Sequence, residues 1–215
     1  MAELPTIDSI TVADDPKRWR AARFEVDGGH CDLGTVRIVL AGRDAGRGMI
    51  GWSVRGLDGA DLDGLRPSTS TSDPRAAGAP QPNSTVAIDH LVAFTPDRDR
   101  TVAAFQANGL EPRRLRDEPT PGGAGRQAFF RLGEVVLEVI EYAADSPRAA
   151  DRDAPARLWG LALAVDSLER CAEVLGDNLG KPRDAVQPGR RIATLRRSAD
   201  LAIPIAFMSL GPRAA

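Results

Sequence analysis

The chain has 215 residues, 42% of them hydrophobic and 27% charged, an ordinary globular composition that can fill one large core or two small ones. A formal net charge of -2 and a pI near 5.8 exclude the global basic footprint of a nucleic-acid or anionic-membrane binder. The two cysteines, Cys31 and Cys171, lie far apart without CxxC spacing, which excludes a disulfide framework and a zinc knuckle and leaves two reduced thiols.

The opening MAELPTIDSITVADDP carries no basic, apolar leader, and no later stretch reaches the roughly 18 apolar residues of a membrane span, so a cytoplasmic protein without membrane partners is expected. Abundant Arg, Ala, Gly and Asp beside almost no Lys points to a GC-rich, bacterial coding sequence.

In chain order, IDSITVA reads as a strand, DDPKRWRAA as a short helix, RFEVD as a strand, and CDLGTVRIVLAG as two strands about Gly34. GMIGWSVRGL repeats the first strand, and DGADLDGL after it stands where a helix would start. Residues 67–84 are small, Pro-rich and polar, the composition of a linker.

From residue 86 the pattern sharpens. AIDHLVAFT alternates as a strand. Thr95 or Asp97 caps a helix striped by Val102, Ala103 and Phe105, and Gly109 stops it. A short strand in 111–117, a turn at 119–125, and the strands RQAFFRL and VVLEVIEY follow.

After the break at 144–156 the design repeats, with strand LWGLALAV and a helix whose apolar side chains are Leu168, Cys171, Val174 and Leu175. PRDAVQPG, RRIATLRR and IPIAFMSL complete this copy. The order in each copy is β, α, β, β, β. Such a unit cannot bury its sheet face alone, so an α+β fold of paired βαβββ modules is expected, their mixed sheets curling into an open barrel around a concave pocket. The expected division is 1–66 (a degenerate module), the linker 67–84, and 85–212 (modules 86–143 and 157–210). The N-terminal module needs a surface to cover its own sheet, either the C-terminal pair or a second subunit in a homodimer.

The motif IDHLVAFTPD, a helix, GL, then FFRLGEVVLEVIEY resembles the vicinal oxygen chelate superfamily, which includes glyoxalase, bleomycin-resistance and dioxygenase proteins. That resemblance implies one metal ligand from the first strand of each module, usually His, and one from its last, usually Glu. His90 and Glu138 occupy those positions and are the implied ligands of a single divalent ion and the implied catalytic pair. Imidazole and carboxylate suit such an ion when coordination stays open to substrate oxygens. Alternation puts Ile88, His90, Val92 and Phe94 on one strand face and Val136, Glu138 and Ile140 on another.

The departures are plain. Gly160 and Ala206 stand at the ligand positions of the last module, and Ser9 and Val39 at those of the N-terminal one, so two of four donors are present. His30, in GGHCDLG, is a further donor candidate. Glu138, set in VVL and VI, needs a metal, an arginine or a proton to be buried, whereas Glu141 falls on the solvated face. Arg126 and Arg190 start equivalent strands, where guanidinium forks could hold a ligand carboxylate or phosphate. Phe94, Phe129 and Phe207 are the expected pocket walls. The charge runs DRDR and RRLRDE read as solvated faces.

Three functions fit the resemblance. One is a metal-dependent isomerase or lyase moving a proton next to a carbonyl of a small oxygenated ligand. Another is a metal-free, resistance-type binding protein with no cofactor. The third is a non-catalytic structural or regulatory module.

Overall fold

The computed structural model describes residues 4–118 and 125–211, so the expected turn at 119–125 lies, apart from Gly125, outside the described residues. In chain order the elements are β1 (Thr6–Val12), α1 (Pro16–Ala21), β2 (His30–Leu33), β3 (Val36–Leu40), β4 (Met49–Arg55), β5 (Ser68–Thr69) and β6 (Thr85–Thr95). They continue with α2 (Arg98–Ala107), β7 (Arg114–Arg116), β8 (Gln127–Leu132), β9 (Val135–Glu141), β10 (Arg157–Val165), α3 (Leu168–Leu175), β11 (Arg183–Asp184), β12 (Arg191–Thr194) and β13 (Ile205–Ser209). The fold is α+β, with few helices and mixed sheets.

The chain forms two units. Unit 1 comprises residues 1–7, 51–72 and 90–160, and unit 2 comprises 8–50, 73–89 and 161–215. In unit 1 the strands run β7-β8-β9-β6, with β6 and β9 parallel and the other pairs antiparallel, and β5 lies parallel to β4. In unit 2 they run β11-β12-β13-β10 and β2-β3-β1, again with one parallel pair in each run.

The repeat read from the sequence is visible in the register. Val92 of β6 faces Glu138 of β9, Ala162 of β10 faces Ala206 of β13, and Thr11 of β1 faces Val39 of β3. His90, Gly160 and Ser9 each stand two residues before the first member of those pairs. The helix starts agree: Asp97 and Ser167, each seven residues beyond His90 and Gly160, accept from the backbone N–H of Arg100 and Arg170 at 3.1 Å. Gly160 is therefore the equivalent of His90, and Ala206 of Glu138.

Helix α2 covers one face of the unit 1 sheet. Phe105, fully buried, stacks on Phe130 of β8 with ring centroids 4.3 Å apart, over Leu91, Ala93, Leu137 and Val139. Ala103, expected in the same stripe, is exposed. In unit 2, α3 buries Leu168, Cys171 and Leu175. Phe24 bridges Trp19 and Phe207 there, at 4.9 and 6.4 Å.

In each unit a buried or mostly buried aspartate joins segments distant in the sequence. In unit 2, Asp14 is wholly buried. Its Oδ1 accepts from the Asp15 N–H at 2.9 Å and Arg43 Nε at 3.1 Å, and its Oδ2 accepts from Trp19 Nε1 at 3.2 Å and the Ala202 N–H at 2.8 Å. In unit 1, Asp63 accepts from Arg100 Nε and Nη2 at 2.8 and 3.1 Å and from Thr101 Oγ1 at 2.5 Å.

Three local expectations differ from the structure. RFEVD is not a strand: Arg23 takes φ 61, the Phe24 N–H still bonds the Trp19 carbonyl, and only Asp27 pairs, with His30, about the turn at Gly28 and Gly29. DGADLDGL forms no helix, because Gly59, Asp63 and Gly64 all take positive φ. DRDR is not a solvated face: Asp97 is the cap of α2, and Arg98 is buried between Asp99 and Asp117. Residues 67–84 contain β5, and near their end Gln81 and Asn83 are buried. Gln81 accepts from the Glu25 N–H at 2.8 Å, and Asn83 donates to the Ala22 carbonyl at 3.0 Å.

Cys31 and Cys171 are free and buried. Burial pushes both thiols up to about 12, helped at Cys31 by Asp32 and Glu25. A thiol-specific disulfide reagent at pH 8 is therefore expected to label neither in the folded chain and both after denaturation, because the thiolate is the reactive form. Rapid labelling of the native protein would contradict this burial.

Candidate functional site

The face of the unit 1 sheet opposite α2 carries most of the residues singled out from the sequence. Strand alternation delivers His90, Val92 and Phe94 from β6, Val136, Glu138 and Ile140 from β9, and Gln127, Phe129 and Arg131 from β8. Leu91, Ala93, Leu137 and Val139 point the other way, into the core under α2. The local sequence enforces this, since a slip of one residue in β6 and β9 would turn Leu91, Ala93, Leu137 and Val139 out and bring His90 and Glu138 in.

His90 and Glu138 meet, as their strand positions require. Nε2 of His90 lies 3.3 Å from Oε2 of Glu138, and both side chains are largely but not wholly buried. Gln127 donates from Nε2 to the other carboxylate oxygen, Oε1, at 2.5 Å. Its own Oε1 is buried without a hydrogen-bond partner. The amide orientation is settled chemically, because the reverse would set an amide oxygen against a carboxylate. A buried acceptor left unmatched costs about 1–3 kcal/mol, and here it accompanies an N–H aimed at Glu138. Nothing in the sequence marked Gln127; only the register of β8 against β9 reveals it.

The remaining walls are apolar. Phe129 lies directly across from Glu138. Phe94 stacks nearly parallel on Tyr142 at 5.1 Å and meets the edge of the half-exposed Trp159 at 5.2 Å, while Arg157 Nε donates to the Tyr142 hydroxyl at 3.0 Å. A planar or apolar ligand body finds aromatic surface beside the polar group.

The other expected residues lie elsewhere. Arg126 is held by Glu141 through Nε at 2.6 Å and by Asp99 through Nη1 at 2.9 Å, and these pairings raise its pKa. Glu141, expected to be solvated, is therefore ion-paired and mostly covered. Arg190 belongs to unit 2, where it donates to Asp89 at 2.5 Å and to the Ser209 carbonyl at 2.8 Å. Phe207 is in the unit 2 core, stacked on Phe24 and fully buried. His30 is also in unit 2, on a cleft of about 590 Å³ with Arg20, Glu25, Asp27 and Asp32.

The donor set does not fit a mononuclear metal. His90 and Glu138, with Nε2 and Oε2 3.3 Å apart, are two donors only, too few for a mononuclear site, and the equivalent positions hold Gly160, Ala206, Ser9 and Val39. Among the described residues no group of three or more His, Cys, Asp or Glu is placed to hold one. No helix among the described residues is long and apolar enough to cross a membrane.

No protein-family model matches the chain, and no curated protein matches its sequence. Solved structures do match. Methylmalonyl-CoA epimerase from Mycobacterium tuberculosis aligns with a TM-score of 0.50 at 17% identity, covering 60% of this chain and 91% of that one. A selenomethionine methylmalonyl-CoA epimerase aligns at 0.48 and 20% identity, covering 60% and 97%, and a hypothetical protein from Bacillus halodurans C-125 at 0.47 and 20%, covering 60% and 96%. The epimerase is a vicinal oxygen chelate enzyme, so the resemblance read from the sequence holds at the level of fold.

Proposed function

We propose that the unit 1 sheet face opposite α2 binds a small oxygenated organic molecule without a metal, with Glu138 as its polar anchor and proton acceptor and His90 as the hydrogen-bonding partner that holds Glu138. The observation that carries this reading is the chain from His90 through Glu138 to Gln127, at 3.3 and 2.5 Å, set among Phe94, Phe129 and Ile140. A carboxylate among apolar side chains is costly unless its partners hold it, and two of them do so here. Held in that way, it suits abstraction of a proton beside a carbonyl or recognition of a hydroxyl. The fold neighbour is an epimerase of methylmalonyl-CoA, and fold alone does not bring that substrate to this chain.

Glu138→Gln tests the reading. Small hydroxycarbonyl compounds such as hydroxyacetone and 1-hydroxy-2-butanone, whose hydroxyl can donate to the Glu138 carboxylate, are expected to raise the unfolding temperature of the full chain, before and after exhaustive chelation. The variant should bind them roughly ten- to a hundredfold more weakly, the loss of one hydrogen bond to a charged group. Full binding by E138Q would remove Glu138 from the site. Binding lost on chelation and restored by a divalent ion would replace the metal-free reading with a metal-dependent one.

A further inference from the structure

We infer that the ligand of this face is an anion, carrying a phosphate or carboxylate group that a set of three arginines, Arg114, Arg116 and Arg131, holds at the outer edge of the sheet. The inference rests on the site proposed above and names the chemistry of its substrate.

The register places the arginines. Across β7, β8, β9 and β6, one row of directly paired residues reads Arg114, Phe129, Glu138, Val92. The next row reads Arg116, Gln127, Ile140, Phe94. On the other side, Arg131, Val136 and His90 form a third row. Directly paired residues share a sheet face. Each polar residue of the site thus has a guanidinium in its own row on β7 or β8, with apolar Phe129 between them in the Arg114 row and Val136 in the Arg131 row, and Arg116 directly beside Gln127.

The spacing suits one small molecule. Neighbouring strands are about 4.8 Å apart, so Arg114 and Glu138, two strands apart, are roughly 10 Å apart at the backbone, and the arginine side chain shortens that span. Between them lies the Phe129 ring, with the Arg114 guanidinium carbon 6.0 Å from its centroid. A short chain could lie over that ring with a hydroxyl, or the C–H beside a carbonyl, at Glu138 and its anionic end among the guanidiniums.

Charge supports the same occupant. The nearby Arg98, Arg100 and Arg126 are all ion-paired with aspartate or glutamate. Arg114, Arg116 and Arg131 have no carboxylate partner among the described residues. Three unmated guanidiniums on one sheet face repel one another, and an anion with several acceptor oxygens relieves that repulsion while using their fork geometry.

Calorimetric titration of the full chain at 0.15 M salt tests this with two probe pairs, dihydroxyacetone phosphate against dihydroxyacetone and 4-oxopentanoate against its methyl ester. The charged member of at least one pair is expected to bind about tenfold or more tightly than the neutral one, the scale of one charge-assisted hydrogen bond. The pair with the larger ratio tells phosphate from carboxylate. In the R114Q/R131Q double variant the ratio should fall toward one, and in R114K/R131K part of it should return, with unfolding midpoints reporting that both variants fold.

Equal affinity within both pairs, or a preference that persists undiminished in R114Q/R131Q, overturns the anion inference and leaves the Glu138 site standing. Failure of all four probes to bind, together with unaltered behaviour of E138Q toward the carbonyl panel, overturns both.

Discussion

Asp14→Ala is expected to lower the free energy of unfolding by about 3–5 kcal/mol, the range for removing one partner from a buried charged network. The residue is wholly buried, and both of its oxygens are in use. Alanine would leave the Trp19 indole N–H without an acceptor in a fully buried ring, strand the Ala202 N–H, and deprive Arg43 of one of its two carboxylate partners. Asp14→Asn separates charge from shape, because an amide keeps one acceptor oxygen but turns an NH2 group toward donors. It should recover only part of the loss. Urea unfolding at pH 7 measures both, and a change below about 1 kcal/mol for the alanine variant would show that the network contributes little beyond a surface ion pair.

Phe105→Ala is the second large effect, about 3–5 kcal/mol from lost transfer energy plus the cavity left under α2. Phe105 is a fully buried contact of that helix with the sheet, stacked on the buried Phe130. Because β8 and β9 carry the proposed site on their opposite face, the loss should also weaken binding of small carbonyl compounds, and Phe105→Leu should restore most of both. Stability lost with binding fully retained would mean that the site face does not depend on α2 for its position.

The repeat was legible because its signals are local. Alternation in AIDHLVAFT and VVLEVIEY, the caps at Asp97 and Ser167, and the glycines after the helices all act within one or two turns of chain. His90 and Glu138 were legible for the same reason, since each strand assigns its own faces. What stayed hidden depends on pairing between strands. RRLRDE reads as solvated, and Arg113, Arg114, Asp117 and Glu118 are exposed, but it takes the pairing of β7 with β8 to place Arg114 and Arg116 on the face of the candidate site. Arg126 and Arg190, at the starts of strands, have the better sequence argument for holding an anion, but Glu141, Asp99 and Asp89 already occupy them. No single segment reveals which carboxylate an arginine will meet across a sheet.

The Asp14 network also governs when this polypeptide can finish folding during its synthesis. Asp14 leaves the ribosome 188 positions ahead of Ala202, whose backbone N–H completes the same carboxylate. Until then β1 and α1 hold a buried-type acid without its full set of donors, exposed to water or to holding chaperones. Local helices and hairpins can form early, but the Asp14 carboxylate gains its full set of donors only once the chain through Ala202 has been released.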